Sequence, residues 1–304
     1  MSRKQPSNCC KHKAIFLLAC FITLTMISGQ LSAAIWVITY PQSQVDNDLR
    51  YDYPLALLEL ALDKTGVRYE LKPSVNTMRQ AKSVKRLEEN LEINVLWSMT
   101  DATREEELLP IRIPIAKGLI GWRMFIAPQN SAFMRADILT LNDMLAFEPV
   151  QGIAWPDTKI LQANGFNVVT SRDYLDAKNI VSQGQADFFP RSVIEIEQEL
   201  ESSSVSNLAL RTDIALQYPT AMYFFVNKRN VTLAKLIETG LNKAIEDGSF
   251  DALFLEHFGE TIERLNLKNV RYFQLANPLL PKLTPTSKQE LWYFPERSFY
   301  KNAQ

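Results

Sequence analysis

The chain has 304 residues, with 33 lysines and arginines against 34 aspartates and glutamates, and 46% of it is apolar. That composition excludes disordered and collagen-like proteins, and the length allows two ordinary globular units or one large one. A formal net charge of -1 argues against a protein that tracks nucleic-acid phosphates over a broad basic surface.

Arg3, Lys4, Lys11 and Lys13 precede an uncharged apolar run over residues 14–27, and the small residues Ser32 and Ala34 follow at the spacing signal peptidase reads. The run is shorter than the roughly 20 residues a spanning helix needs. The segment therefore reads as a cleaved secretory signal over residues 1–34. A retained anchor and a lipoprotein signal at Leu17-Leu18-Ala19-Cys20 are the alternatives. Cys9, Cys10 and Cys20 all lie inside it, so the exported protein has no thiol, no disulfide and one imidazole, His257. Zinc sites built on paired Cys or His are excluded, and no P-loop, G-x-G-x-x-G or serine elbow is present. No cofactor and no metal is expected.

From Ile35 onward, short β-rich runs alternate with amphipathic helices, the pattern of an α/β protein with largely parallel sheets. Residues 35–39 read as a strand. Residues 54–64 read as a helix that is apolar nearly all round and stops at Gly66. Residues 67–71 alternate as a strand, 78–89 read as a charged helix and 93–97 as the next strand. Residues 118–127 read as one long strand, and Thr140 as the cap of a helix to residue 147. A second α/β series follows, with short strands near 152–154, 167–169, 186–189 and 208–210. Helices are read near 158–163, 173–183 and 193–201, and a loop at 202–207. Residues 221–227 return as a strand, and Leu233, Leu236, Ile237, Leu241, Ala244 and Ile245 mark one apolar helix face ending at Gly248. The proline-studded tail beyond residue 260 reads as extended chain lying on the body. A partner-docking role for its aromatic residues is the alternative.

Three stretches carry a resemblance. Leu233 to Gly259, with GLNKAIEDGSFDALFLEHFG, is similar to the closing helix pair of the type II periplasmic solute-binding proteins, family 3, the receptors of amino-acid-type ABC transporters. Ser98 to Arg104 (SMTDATR), followed by IRIPIAKG, resembles that family's Thr and Arg loop. Gly184 to Arg191 (GQADFFPR) is similar to its glycine and aspartate strand. The resemblance implies a two-lobed α/β fold of type II, the second lobe inserted into the first and the ligand cleft between them. The expected boundaries are 35–121 and 222–260 for the first lobe, 122–221 for the second, and 261–304 for the tail. It also implies a periplasmic monomer that hands a small solute to an ABC permease or reports it to a membrane sensor.

Arg104 is the first candidate, because a guanidinium fork at the end of a loop can hold a carboxylate bidentately, and the resemblance assigns its position that role. A surface arginine paired with Glu105 or Glu107 is the plainer alternative. Ser98 and Thr100 add hydroxyl donors. Trp97 and Tyr40 stand at strand ends facing the crevice, where open α/β sheets bind ligands. Trp155 reads as a stacking surface or a hinge cover, and Asp157 as the cap of its own helix. Where the resemblance leads one to expect an ammonium-binding aspartate, this chain has Arg191. Arg104 with Arg191 suits a ligand with two acidic groups, one for each lobe. Arg112, Lys117 and Arg123 are secondary candidates that read as solvated charges, Glu195 and Glu199 as a solvated helix face, and His257 as structural. The function expected is capture of a small polar or acidic solute without catalysis. The rivals are a non-transporting interaction or sensor protein and a dehydratase-like enzyme using Asp101, Glu105 or Asp157 as acid or base.

Overall fold

The computed structural model describes residues 34–201 and 207–295. The leader read over residues 1–34, save its last residue, lies outside the described residues. So do most of the 202–207 loop and the last nine residues of the tail. Among the described residues no helix is long and apolar enough to cross a membrane, and no group of three metal-ligating side chains is found.

The first lobe begins with strands β1 (Trp36–Gln42) and β2 (Tyr69–Thr77), paired in parallel. Asn94 joins them to β3 (Leu96–Met99): its backbone N–H donates to Thr39 O at 2.9 Å, and its side chain accepts from Thr39 N at 2.8 Å. Strand β4 (Leu109–Ile111) closes this half.

The chain then enters the second lobe through β5 (Trp122–Pro128). There β6 (Val150–Gly152) pairs in parallel with β7 (Val169–Ser171), and β8 (Phe189–Ser192) and β9 (Leu208–Gln217) flank β5 on either side. It returns to the first lobe as β10 (Met222–Val226), which lies antiparallel between β3 and β4. The second lobe is therefore an insertion, with β5 and β9 as antiparallel crossovers. The largely parallel arrangement expected from the sequence fails at these strands, because a chain that leaves a sheet and re-enters beside its exit point must run antiparallel there.

The helix Asp52–Thr65 buries Tyr53, Leu57, Leu58, Ala61 and Leu62 and ends at Gly66, whose φ of 71° is the left-handed cap conformation. Helix Val231–Glu246 crosses it so closely that a Cβ at Gly240 would lie 1.8 Å from Ala61 O, so only glycine fits. In the second lobe the core is aromatic: Phe133 stacks on Phe188 at 4.3 Å with an 11° interplanar angle, and Phe125 meets both edge-on.

Several elements differ from the sequence expectation. Residues 119–121 form a 3-10 turn before β5 rather than its first residues. The helix expected at 140–147 is only Leu141–Met144, preceded by a separate turn Ala132–Arg135 capped by Ser131. Strand β9 is ten residues long because it spans the crossover as well as the sheet.

After the last long helix, Ser249–Arg264, strand β11 (Arg271–Gln274) adds in parallel to β9 at the edge of the second lobe. Asn164 clasps the chain just beyond it, donating to Ala276 O at 2.8 Å and accepting from Ala276 N at 3.0 Å. Asn277 donates to Pro219 O at 2.8 Å. The chain then returns to the first lobe, where Tyr293 N bonds Lys117 O at 2.8 Å and Trp292 covers Gly118. The tail through residue 293 thus touches both lobes and the hinge between them.

Candidate functional site

The two lobes enclose a cavity of about 870 Å³. Its first-lobe wall includes Arg50, Tyr51, Gln80, Trp97 and Ser98. The facing wall has Trp155, Asp157, Tyr174, Arg191 and Glu195, and Arg123 of the crossover strand β5 forms part of the back.

Five of the eight candidates read from the sequence line this cavity: Trp97, Ser98, Trp155, Asp157 and Arg191. Tyr40, Thr100 and Arg104 do not. Tyr40 stands behind Trp97, ring centroids 6.0 Å apart, and Trp97 meets Tyr51 edge-on at 4.9 Å. Thr100 donates to Glu105 Oε1 at 2.8 Å, and Glu105 in turn holds Arg112 at 2.6 Å. Both hydroxyl and carboxylate thereby fasten the start of the short helix Ala102–Glu107.

Arg104 is only 6% exposed and turns back onto its own loop. One guanidinium nitrogen donates to Ser98 Oγ at 3.0 Å and to the carbonyl of Met99, and its charge meets Asp101 at 3.5 Å. Burial lowers the guanidinium pKa, with Asp101 opposing the shift. Ser98 Oγ accepts a second bond from Gln80 Nε2 at 3.0 Å, and Gln80 Oε1 is left buried without a partner.

Arg191 lies at the end of β8 and is 5% exposed. It forks onto Glu199, Nε to Oε2 at 2.6 Å and Nη2 to Oε1 at 2.5 Å, and Nη2 also reaches Glu195 Oε2 at 3.0 Å. Its guanidinium carbon sits 5.2 Å from the Trp155 ring, 5.7 Å from Tyr174 and 5.1 Å from Phe189, a cation–π surround. Burial works to lower its pKa, but Glu195 and Glu199 more than offset this and raise it. The guanidinium thus fills the place from which the sequence expectation has it clamp a second acidic group. Glu195 and Glu199, expected on a solvated face, are instead its internal partners. The same holds for the secondary cations: Arg123 and Lys117 are each 2% exposed rather than solvated.

Arg50, which the sequence analysis passed over, links the lobes. It grips Asp48 at 2.6 and 2.7 Å on its own lobe, reaches Glu199 Oε1 at 3.3 Å across the cleft, and lies 4.5 Å over the Tyr174 ring. Arg79 meets Asp173 at 3.4 Å across the same gap. The legible trace of this network was the four-residue spacing of Arg191, Glu195 and Glu199, which the structure realises across the end of β8, the turn that follows it and the helix Ile196–Glu201.

Asp157 does not cap its helix. Trp155 holds the N-cap position without a side-chain bond, Pro156 opens the helix Pro156–Ala163, and Asp157 in its first turn faces inward. Its Oδ1 takes Arg123 Nη2 at 2.7 Å and the hydroxyl of Tyr218. His257 bonds Leu253 O at 3.0 Å and packs 5.3 Å from the Tyr53 ring at the margin of the cavity.

No protein-family model matches the sequence, and no curated protein sequence does. Solved structures do. An arginine-specific periplasmic binding protein of Salmonella typhimurium superposes with a TM-score of 0.56 at 13% identity, over 73% of this chain and 99% of that one. The VFT2 domain of Bordetella pertussis BvgS gives 0.57 at 15% identity, over 73% and 93%. A histidine kinase sensor domain with similarity to periplasmic binding proteins gives 0.54 at 14%, over 74% and 95%. The chain therefore has the two-lobed periplasmic-binding-protein fold, with its second lobe inserted into the first and a cleft between them. About a quarter of it lies beyond what those proteins span.

Proposed function

We propose that the protein is an exported solute-binding protein that captures a small polar solute in its interlobe cleft, for delivery to a permease or for signalling, without chemical turnover. The observation that carries this reading is the cavity of about 870 Å³, walled by charged and aromatic side chains from both lobes. That volume lies in the range of small-molecule sites. A solute touching both walls has different affinities for the open and closed states, which is what drives hinge closure.

The neighbours on this fold include a receptor described as arginine-specific and sensor domains. The enzyme rival loses its carboxylates: Asp101 is held by Arg104 and Glu105 by Arg112, neither of them in the cavity wall, and Asp157 is held by Arg123. The charged leader supports export to the periplasm. The tail that ties both lobes at the hinge favours, between the two uses, a sensor or interaction role, since it resists the opening that delivery requires.

The test is a thermal-shift screen of the purified protein, refolded to strip carried-through ligand, against amino acids, amines, dicarboxylates, sugars, nucleosides and small peptides. A true ligand at about 100 times its dissociation constant adds roughly 2.7 kcal/mol, several degrees of melting temperature. A folded sample that no solute stabilises overturns the reading.

A further inference from the structure

We propose that the solute is a cation, an ammonium- or guanidinium-bearing small molecule whose charged group is taken by Glu195 between Trp155 and the first-lobe aromatic wall. This rests on the solute-binding reading and names the chemical class of its ligand.

Every arginine in the cavity wall already meets a carboxylate: Arg50 with Asp48, Arg79 with Asp173, Arg123 with Asp157, Arg172 with Asp176, and Arg191 with Glu199. An acidic solute would have to break one of these pairs or turn to Lys82, an exposed cation of the wall. The carboxylates are not all so matched. Asp48, Arg50, Glu199, Arg191 and Glu195 form one continuous chain of contacts, three acids on two guanidiniums. Arg191 is forked onto Glu199, so Glu195, at the end of the chain, receives a single bond through Oε2.

No other bond to Glu195's side chain occurs among the described residues, and 19% of its side-chain surface is open, on the cavity side. Nearby Lys178 does not supply the missing charge, since its ammonium bonds the backbone carbonyl of Glu199 at 3.1 Å and Tyr174 Oη at 3.3 Å. Burial raises the Glu195 pKa, Arg191 pulls against this, and Glu199 adds to it, so the carboxylate is under-compensated where it stands.

The opposite wall supplies aromatic rings and a neutral amide. Gln80 lines the cavity with its amide nitrogen fixed on Ser98 and its carbonyl oxygen buried and unpartnered. The one wall donor in that condition, Arg123 Nε, belongs to a guanidinium whose charge Asp157 already meets, so it suits a neutral acceptor. An open carboxylate beside Trp155, facing a wall that carries Trp97 and Tyr51, suits a donor-rich cation.

The experiment is calorimetric titration of the full chain with agmatine, 1,4-diaminobutane, succinate, glutarate and erythritol, repeated for Glu195→Gln and Glu195→Asp. At least one amine is expected to bind and the diacids and polyol not to. Glu195→Gln should weaken that amine at least about tenfold, and Glu195→Asp should restore part of the loss. Unchanged circular dichroism, with an unliganded melting temperature no lower than that of wild type in both variants, assigns the loss to the site rather than the fold. Binding of a diacid or of the polyol in preference to the amines overturns the cation assignment and leaves the solute-binding reading standing, as does an amine that Glu195→Gln binds as tightly. Binding of no compound here or in the wider screen overturns both.

Discussion

Arg104 and Arg191 are buried to nearly the same degree, 6% and 5% exposed, one just after β3 and the other at the end of β8, yet only Arg191 faces the cleft. Arg104 closes its own loop, tied to Ser98, Met99 and Asp101 within six residues of itself. Arg191 instead joins β8 to the next helix through Glu195 and Glu199 and, by way of Arg50, to the other lobe. A buried guanidinium belongs to whichever acceptors surround it, and a motif that fixes its place in the chain does not fix those acceptors. The first arginine is a loop brace and the second the centre of an interlobe latch.

Breaking the latch should cost most. Glu199→Ala removes the bidentate partner of Arg191 and the cross-cleft partner of Arg50, three charge-assisted hydrogen bonds between buried groups, and is expected to destabilise by about 3–5 kcal/mol in urea unfolding. Removing the brace should cost less: Arg104→Ala forfeits hydrogen bonds to Ser98 and Met99, about 1–3 kcal/mol, while solute affinity stays within about threefold. Affinity that collapses in this variant with the fold intact would return Arg104 to the cleft. Asn164→Ala opens the two-bond clasp on Ala276 and should lower stability by about 1 kcal/mol. It should also loosen the tail, read as faster proteolysis beyond residue 270.

The smallest effect is one of pH. Glu195 faces Arg191, Glu199, Arg123 and Arg50, and its carboxyl sits above the usual glutamate range because burial and Glu199 outweigh the arginines. A carboxyl whose folded pKa exceeds its unfolded value contributes stability at low pH and loses it as pH rises through the folded value. Unliganded wild-type protein should therefore lose stability relative to Glu195→Gln as pH climbs from about 4.3, the unfolded glutamate value, through that raised value. Parallel pH curves for the two proteins would show that the carboxyl stays compensated.

Much of the fold was legible. Gly66 and Gly248 marked real helix boundaries, the apolar spacing of Leu233, Ile237, Leu241 and Ala244 marked a buried face, and the strand and helix alternation gave the α/β class. The site was legible as to which loops form it and illegible as to which side chains face inward. Trp97, Ser98 and Arg191 line the cavity because β3 and β8 end there, and Trp155 because its turn does. Arg104 is withdrawn by the neighbouring Met99 carbonyl and Ser98 hydroxyl, contacts with no signature in residue type. Arg50 and Tyr174 come together across about 120 residues of chain through packing of the lobes, a relation that local pattern does not encode.

The most direct test of the account is the dissociation constant of the solute that stabilises the protein most, measured side by side for wild type, Glu195→Gln and Arg104→Ala. The account predicts a loss of at least about tenfold for Glu195→Gln and no more than about threefold for Arg104→Ala. The reverse order would contradict it and place the binding centre on the first-lobe loop.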